Sequence, residues 1–254
     1  MKKFLLLSVC LVSSGLQAWD CEYEKNIDQT LDLGSAEELL VMAAAGDLEI
    51  IGVEDNESAS IKGRVCVSKE EWLEESGVEM QGGGPAEVRV VLPDADGSWS
   101  LTGRTYAYLD LELEVPNSIA LTVRDSSGDI DIENVAAVDV QDSSGYIDIE
   151  NAAGPVTIRD SSGEIQLSEI RGDVTVESDS SGDIQGKNVE GSVLVKSDSS
   201  GDISFSQVGE DYIVEKDSSG DIYAYEVAGD FRVLRDGSGD IDSRNVHGEV
   251  DIPQ

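Results

Sequence analysis

The 254-residue chain has 53 acidic and 17 basic side chains, which gives a formal net charge of −36 at pH 7. A surface of that sign repels nucleic acid and anionic lipid and attracts cations or basic peptides, so nucleic-acid binding is excluded. The regular Ile and Val content argues against the disorder that acidic composition often marks, and the length suffices for a domain with its own core.

Residues 1–18 have the pattern of a signal peptide. Lys2 and Lys3 precede an apolar run over residues 4–16, and Ala18 ends a signal-peptidase site. The run is too short to span a bilayer as a helix. The sequence therefore predicts export to the periplasm or cell surface of a bacterium, and a mature chain without a transmembrane segment.

Export determines how the cysteines are interpreted. Cys21 and Cys66 remain after cleavage, and two cysteines in an oxidising compartment usually pair. A bridge between them would stabilise the fold by roughly 3–4 kcal/mol. The sequence predicts a Cys21–Cys66 disulfide; redox chemistry is the weaker alternative because the chain has no CxxC motif.

Residues 19–123 are predicted to be a β-rich region, tied by the disulfide, that caps the structure formed by the rest of the chain. Residues 39–44 are interpreted as a strand, although their propensity also fits a helix. They lead into GDLEI at residues 46–50, a faded copy of a turn that recurs later. Residues 68–71 (SKEE) have the form of a capping box and predict a short helix that ends near Gly77.

Residues 124–254 contain one acidic turn, DSSGD or a near copy, seven times at intervals of 17 to 19 residues. Self-similarity at a short fixed period is typical of repeat architectures, and the alternation of apolar and polar residues around each turn indicates strands. The first aspartate of each copy is Asp125, Asp142, Asp160, Asp179, Asp198, Asp217 or Asp236.

Aliphatic residues keep their place in every copy. Isoleucine always lies five residues after the first aspartate: Ile130, Ile147, Ile165, Ile184, Ile203, Ile222 and Ile241. Stacked repeats bury such columns in a continuous core. The sequence thus predicts an all-β fold, a single-stranded parallel β-helix or β-solenoid of about seven rungs, each rung being one repeat. At about 4.8 Å per rung, it would be a rod of roughly 30–35 Å.

Two corners close each predicted rung. At Asp-Ser-Ser-Gly, the aspartate is expected to accept hydrogen bonds from backbone N–H groups one or two residues on. The other corner centres on a glycine twelve residues after the aspartate, which is expected to supply a positive φ. The glycines at this position are Gly154, Gly172, Gly191, Gly229 and Gly248.

Stacking would align the seven turn aspartates, and with them a second column made of Asp129, Tyr146, Glu164, Asp183, Asp202, Asp221 and Asp240. Neighbouring charges at the rung spacing repel by about 1 kcal/mol in water. Solvent, salt and turn hydrogen bonds can offset this repulsion. Ca²⁺ bound between rungs is the alternative, and raised carboxyl pKa values, which leave fewer groups charged, are a third way to reduce the repulsion. The sequence specifies no other cofactor.

Enzymatic hypotheses find little support in the residue types. His247 is the only histidine and is expected on the surface of the last corner. The basic residues of the repeats are scattered, and the paired serines are turn formers. Five tyrosines form a candidate aromatic patch or else pack on the strands: Tyr106, Tyr108, Tyr212, Tyr223 and Tyr225.

The serial SGDI turns, the GDLEI segment and the LDLELEVP stretch before the repeats resemble the DUF4097 group of bacterial envelope proteins. The likeness covers nearly the whole mature chain. It implies an exported or surface-exposed β-solenoid but no known activity, because the adhesin label of that group is itself an inference. Many relatives have GSGD where this chain has DSSGD, so the added aspartate is a departure.

The function expected from the sequence is that of a non-enzymatic, exported structural or interaction protein, adhesin-like, which presents repetitive acidic turns on a β-solenoid. Its partner is unknown, and an envelope or cell-surface component fits. The alternatives are a Ca²⁺-binding scaffold of the same shape and an envelope-stress protein that captures cationic peptides.

Overall fold

The computed structural model describes residues 21–54, 56–95, 99–100 and 103–253. The predicted signal peptide, residues 1–18, lies outside them. Within the described ranges the protein is all-β apart from one helix of four residues. No helix in this part of the chain is long and apolar enough to cross a membrane.

The N-terminal part contains nine strands and the helix. They are β1 (Tyr23–Asp32), β2 (Glu38–Met42), β3 (Leu48–Val53), β4 (Ser58–Val67), α1 (Trp72–Glu75), β5 (Gly77–Gln81), β6 (Ala86–Val91), β7 (Trp99–Ser100), β8 (Gly103–Arg104) and β9 (Ala107–Pro116).

The repeats contribute two strands per rung, one on each side of the solenoid. They are β10 (Ala120–Arg124), β11 (Ile130–Glu133), β12 (Ala137–Gln141), β13 (Ile147–Glu150), β14 (Val156–Arg159), β15 (Ile165–Ile170), β16 (Val174–Ser178), β17 (Ile184–Val189), β18 (Val193–Val195), β19 (Ile203–Val208), β20 (Tyr212–Val214), β21 (Ile222–Val227), β22 (Phe231–Val233), β23 (Ile241–Val246) and β24 (Val250–Asp251).

Two long sheets form the walls of the solenoid. Sheet 1 has the order β1-β4-β9-β3-β11-β13-β15-β17-β19-β21-β23, and sheet 2 has the order β24-β22-β20-β18-β16-β14-β12-β10-β2-β6-β5. Neighbouring repeat strands pair in parallel throughout. In the two long sheets, antiparallel pairs occur where β1, β4 and β5 join the N-terminal edges, and β7 and β8 form a separate antiparallel pair. The predicted parallel solenoid is confirmed.

The aliphatic columns line the interior as predicted. Ile130 pairs with Ile147, and the same position stays in register through every later rung. The first six isoleucines of the column are fully buried, while Ile241 on the last rung is half-buried. Burying a side chain of this size stabilises by about 1.5–3 kcal/mol, so the columns are the main source of stability of the rod.

The N-terminal part contains a rung of its own. β2 and β3 pair in parallel with β10 and β11, and Leu48 lies in register with Ile130. The strand interpretation of residues 39–44 is therefore confirmed over Glu38–Met42, and GDLEI is a structural copy of the repeat. β6 and β9 extend both sheets beyond this rung. The boundary at residues 123/124 stays a prediction, and both sheets cross it without interruption.

The capping-box prediction is wrong. The helix is preceded by Glu71, which makes no side-chain capping hydrogen bond. Ser68 follows β4, and its hydroxyl accepts a hydrogen bond from the N–H of Tyr106 at 3.0 Å. The side chain predicted to cap the helix thus binds the backbone just before β9 instead.

The second corner is built differently from the prediction. Its glycines do not have a left-handed φ; that conformation belongs to the residue nine positions after the turn aspartate, with φ of 56° to 60° at Asn134, Asn151, Glu169, Asn188, Gln207, Glu226 and Asn245. Asparagine tolerates this region better than most residues. The corner glycines are needed for close stacking instead, because a Cβ on Gly172 would lie 2.4 Å from the carbonyl carbon of Gly154.

The structure contains the predicted Cys21–Cys66 disulfide, with 5.5 Å between the two Cα atoms. It fastens the start of β1 to the end of β4, and these two strands pair in antiparallel fashion over their whole length. The bridge closes a separation of 45 residues in the chain. It therefore holds together the outermost pair of strands of sheet 1.

We expect the variant Cys21→Ser with Cys66→Ala to lose roughly 3 kcal/mol of unfolding free energy while keeping its β circular-dichroism spectrum. The loss arises because the unfolded chain is no longer closed into a loop. Urea denaturation measures it. A reducing agent should reproduce the loss in the wild type and leave the variant unchanged; equal stability of oxidised wild type and variant would contradict the prediction.

Candidate functional site

The turn aspartates form one column, but that column lies inside the solenoid. Six of the seven are buried, with exposed fractions between 0% for Asp198 and 8% for Asp125. Asp236, on the last rung, is partly exposed. Asp125 continues the inward alternation of Leu121 and Val123 on β10. The prediction that the turns present these carboxylates to a partner is therefore wrong.

In four of the six buried aspartates one oxygen takes part in the turn, as predicted, whereas both oxygens of Asp125 and of Asp142 lack a hydrogen-bond partner. Asp160, Asp179 and Asp198 each accept a hydrogen bond at Oδ1 from the N–H of the following serine, at 2.6, 2.7 and 2.6 Å. The other oxygen, Oδ2, is buried without a hydrogen-bond partner in all six: Asp125, Asp142, Asp160, Asp179, Asp198 and Asp217. The column therefore has a row of unsatisfied polar atoms in its interior.

Burial raises the pKa of every one of these six carboxyl groups. The pKa rises to about 7 for Asp125 and Asp198 and to about 6 for Asp160, and removal from water is the largest cause. Neighbouring column carboxylates raise these three further, whereas the serine N–H groups lower them. The pKa values of Asp142, Asp179 and Asp217 are raised for the same first reason.

The second predicted column lies on the outside and serves as a hydrogen-bonded ladder. Asp129 accepts at Oδ1 from the N–H of Tyr146 at 2.9 Å. Asp183 and Asp202 accept in the same way from the next rung, at 2.9 and 2.8 Å. Each carboxylate thus compensates a backbone donor of the following rung, which offsets part of the repulsion along the column.

A group of acidic side chains on the outer surface of sheet 1 has no such compensation. The acidic face, as we name it, consists of Glu49, Asp131, Glu133, Asp148 and Glu150. Asp131 lies in register between Glu49 and Asp148, and Glu133 lies beside Glu150. None of the five forms an ion pair with a described lysine or arginine.

Partial burial and nearby carboxylates raise the pKa of two members of the acidic face. The pKa of Asp131 is raised, first by partial removal from water and then by the carboxylates of Asp129 and Asp47. The pKa of Asp148 is raised by the same first cause and then by Asp131, Glu150 and Glu133. The repeat position six residues after the turn aspartate was the sequence signal for this face, but only stacking shows that it joins Glu49.

The column geometry does not suit a metal ion held by side chains alone. In the described ranges, no group of three or more His, Cys, Asp or Glu side chains converges as a metal site would require. Calcium usually takes six to eight oxygen ligands. Calcium binding between rungs stays a prediction, and the experiments below include it as an outcome.

The tyrosines do not form a single patch. Tyr212 is buried between Phe205 and Phe231, with ring centroids 5.3 and 5.1 Å away. The other four form two pairs, Tyr106 with Tyr108 near the N-terminal end and Tyr223 with Tyr225 near the other end of sheet 1. His247 is exposed in the last corner, as predicted.

Sequence reasoning missed a polar groove along the left-handed corner. Asn151, Glu169, Asn188, Gln207 and Glu226 line it. Asn151 donates from Nδ2 to Oδ1 of Asn134 at 2.5 Å, so adjacent rungs share hydrogen bonds there. The recurrence of asparagine nine residues after the turn aspartate was the available signal.

Comparison with known proteins gives structural neighbours only. No family model matches the chain, and curated proteins include no significant match. A "putative cell adhesion protein" from Clostridium sporogenes is 14% identical, with a TM-score of 0.45, over 91% of this chain and 100% of that one. A "putative adhesin" from Bacteroides fragilis is 11% identical, with a TM-score of 0.48, over 90% and 97%. These values identify neither a family nor a partner, and membership of the DUF4097 group stays a prediction.

Proposed function

We propose that the protein is a non-enzymatic, exported interaction module of the adhesin-like type, and that the acidic face is the surface that engages its partner. The partner would present positive charge, as a basic peptide or a cationic component of the envelope or cell surface does. The observation that supports this proposal is the set of five unpaired carboxylates in register on β3, β11 and β13.

The acidic face costs stability in the free protein. Like charges directly opposite each other on neighbouring strands are destabilising, and each pair costs about 1 kcal/mol at close range in water. Some other outward acids of this protein have a basic partner within the chain: Lys62 pairs with Glu112 at 3.3 Å, and Arg124 pairs with Asp139 at 2.7 Å. A cationic partner would supply the missing counter-charge and gain affinity from it.

The remaining parts of the proposal rest on separate observations. A disulfide is typical of oxidising compartments such as the periplasm and the cell surface, which supports export. The absence of catalysis is supported by the position of the only histidine, which is exposed in the last corner with no described carboxylate as an ion-pair partner. A calcium-binding scaffold remains the alternative function, and no contact among the described residues favours it.

We expect the double variant Asp131→Asn/Asp148→Asn to bind a short oligolysine peptide about tenfold more weakly than the wild type at low salt. High salt should abolish most of this difference, because the binding is electrostatic. Isothermal titration calorimetry measures both effects.

The matched control is Asp139→Asn/Glu177→Gln. It also removes two negative charges, but from sheet 2, where Asp139 pairs with Arg124 and Glu177 pairs with Lys196 at 2.7 Å each. This control should bind like the wild type. An equal loss in both variants would show that net charge alone attracts the peptide, and the proposed surface would be wrong.

A further inference from the structure

The most unusual feature of the interior is the row of carboxyl groups inside the corner. Asp125, Asp142, Asp160, Asp179, Asp198 and Asp217 are each more than nine-tenths buried, on successive parallel rungs. Adjacent rungs are about 4.8 Å apart, so each of these carboxyls except that of Asp125, which begins the column, has an aspartate on either side. Each also has a buried oxygen with no partner. Unpaired buried charges of one sign at this spacing are not sustainable.

We propose that this column is a row of proton-binding sites, in which a proton taken from solvent on folding is shared between neighbouring aspartates as an O–H···O hydrogen bond. A protonated carboxyl donates one hydrogen bond, and an ionised carboxylate accepts several. With a proton on every second aspartate, each protonated carboxyl donates to one ionised neighbour, so every aspartate takes part in one shared O–H···O hydrogen bond. Hydrogen bonds of this charge-assisted kind are short and strong.

The proton uptake that this scheme needs is favoured by the burial of the column. The pKa reaches about 7 at Asp125, about 6 at Asp160 and about 7 at Asp198. These three occupy every second rung, and burial also raises the pKa values of Asp142 and Asp179, which lie between them. Three protons for six aspartates would satisfy the column in a mildly acidic medium, below these three pKa values.

No described basic group competes with protons for the column. Arg124 and Arg159, which precede column aspartates, turn outward and pair with Asp139. Lys216 and Arg235, which precede two others, are exposed. The titratable groups that do act on the column or on its edge are acidic or phenolic: Asp47, Asp129, Asp202, Asp236 and Tyr212.

The proposal has a definite consequence for stability. The pKa of each column carboxyl is higher in the folded state than the ordinary value of 3.8, so the folded protein binds more protons than the unfolded chain. The contribution of these groups to the free energy of unfolding is therefore fully present below about pH 4, and it is lost as the pH rises through 6 to 7. The column makes a mildly acidic medium the condition in which the solenoid is most stable.

The first test is the melting temperature of the wild type at pH 5 and pH 8 at constant ionic strength. We expect it to be roughly 5–10 °C lower at pH 8, with about three protons released on unfolding near pH 5. Equal melting temperatures would overturn the proposal. The infrared C=O band of protonated carboxyl groups, recorded on folded wild type at pH 6, is an independent readout; its absence would also overturn it.

The second test uses Asp198→Asn, in which an amide supplies the donor and acceptor of a protonated carboxyl. This variant should be at least as stable as the wild type at pH 8 and should lose about a third of the pH dependence. The control is Asp183→Asn, which removes a charge from the outer ladder of the neighbouring rung and should keep the full pH dependence. Equal effects of both substitutions would assign the dependence to net charge and overturn the proposal.

A third experiment distinguishes proton binding from calcium binding by the column. At pH 8 the wild type is melted with CaCl₂, with MgCl₂ and with EDTA. Similar melting temperatures in calcium and magnesium are expected, because both salts only screen the acidic surface. A large stabilisation by calcium alone, removed by EDTA and lost in Asp198→Asn, would show that the column holds a metal, and the proton-binding proposal would be wrong. The outcome does not depend on the acidic face, whose peptide binding is measured separately.

Discussion

Replacing Gly182 by alanine is expected to lower the free energy of unfolding by roughly 3–5 kcal/mol. Gly182 ends an Asp-Ser-Ser-Gly turn with a φ of 129°, a conformation that L residues rarely adopt. A Cβ on this residue would lie 1.7 Å from the carbonyl oxygen of Gly163 and 2.5 Å from its carbonyl carbon. Both atoms are backbone of the preceding rung, so relief requires that two stacked turns move apart. Urea denaturation measures the cost.

The control for this substitution is Gly77→Ala in β5. A Cβ there would meet nothing within 4 Å, and its φ is not left-handed. We expect a change within about 0.5 kcal/mol, as for most surface substitutions. If Gly182→Ala were as harmless as Gly77→Ala, the close stacking of the glycine turns would not be what holds neighbouring rungs in register.

A second large effect is expected for Phe205→Ala, again roughly 3–5 kcal/mol. Phe205 is fully buried on β19 and packs against Tyr212. Its ring also fills the space beside Gly186, where a Cβ on that glycine would lie 2.0 Å from the ring carbon Cε1. In the same column, Gly186 and Ala224 lie on the two rungs next to Phe205, and Leu167 lies one rung beyond Gly186. Truncation would leave a cavity that the β-sheets cannot close.

The pairing of Phe205 with Gly186 can be tested by a double-mutant cycle. Gly186→Ala alone should be strongly destabilising, because its Cβ would collide with the ring. In the Phe205→Ala background, the same methyl group would enter the cavity and cost little. We expect a coupling free energy of more than about 1 kcal/mol from denaturation of the four proteins. Additive costs would contradict the inference that the ring occupies the space above the glycine.

Much of the fold could be predicted from the sequence, because each rung of a solenoid repeats the same local sequence pattern. The invariant isoleucine of each copy predicted the buried column, and the period of 17 to 19 residues predicted the parallel rungs. GDLEI identified the extra rung because it has the same turn and alternation. The Cys21–Cys66 pair followed from the inference of export and the count of cysteines. Each of these inferences needs only local pattern and composition.

The direction of the turn aspartates was decided by the tertiary structure. Asp125 follows the buried Val123 by two residues, whereas Asp179 follows the buried Val176 by three, yet both point inward. The difference is absorbed by a register shift between β14 and β16, where Arg159 pairs with Ser178. Alternation counted along a strand cannot foresee such a shift, because it depends on how one rung sits on the next.

The sequence by itself determined a stack of acidic rungs with an aliphatic interior, because side-chain type and spacing are enough to specify both. Only the tertiary structure decided which acids are buried with unpaired oxygens, which are ladder acceptors, and which meet as the acidic face on β3, β11 and β13. The physical reason is that these three environments arise between rungs. A carboxylate's partners lie 17 to 19 residues away along the repeats, or further for Glu49 and Asp131, where two strands meet from distant parts of the chain.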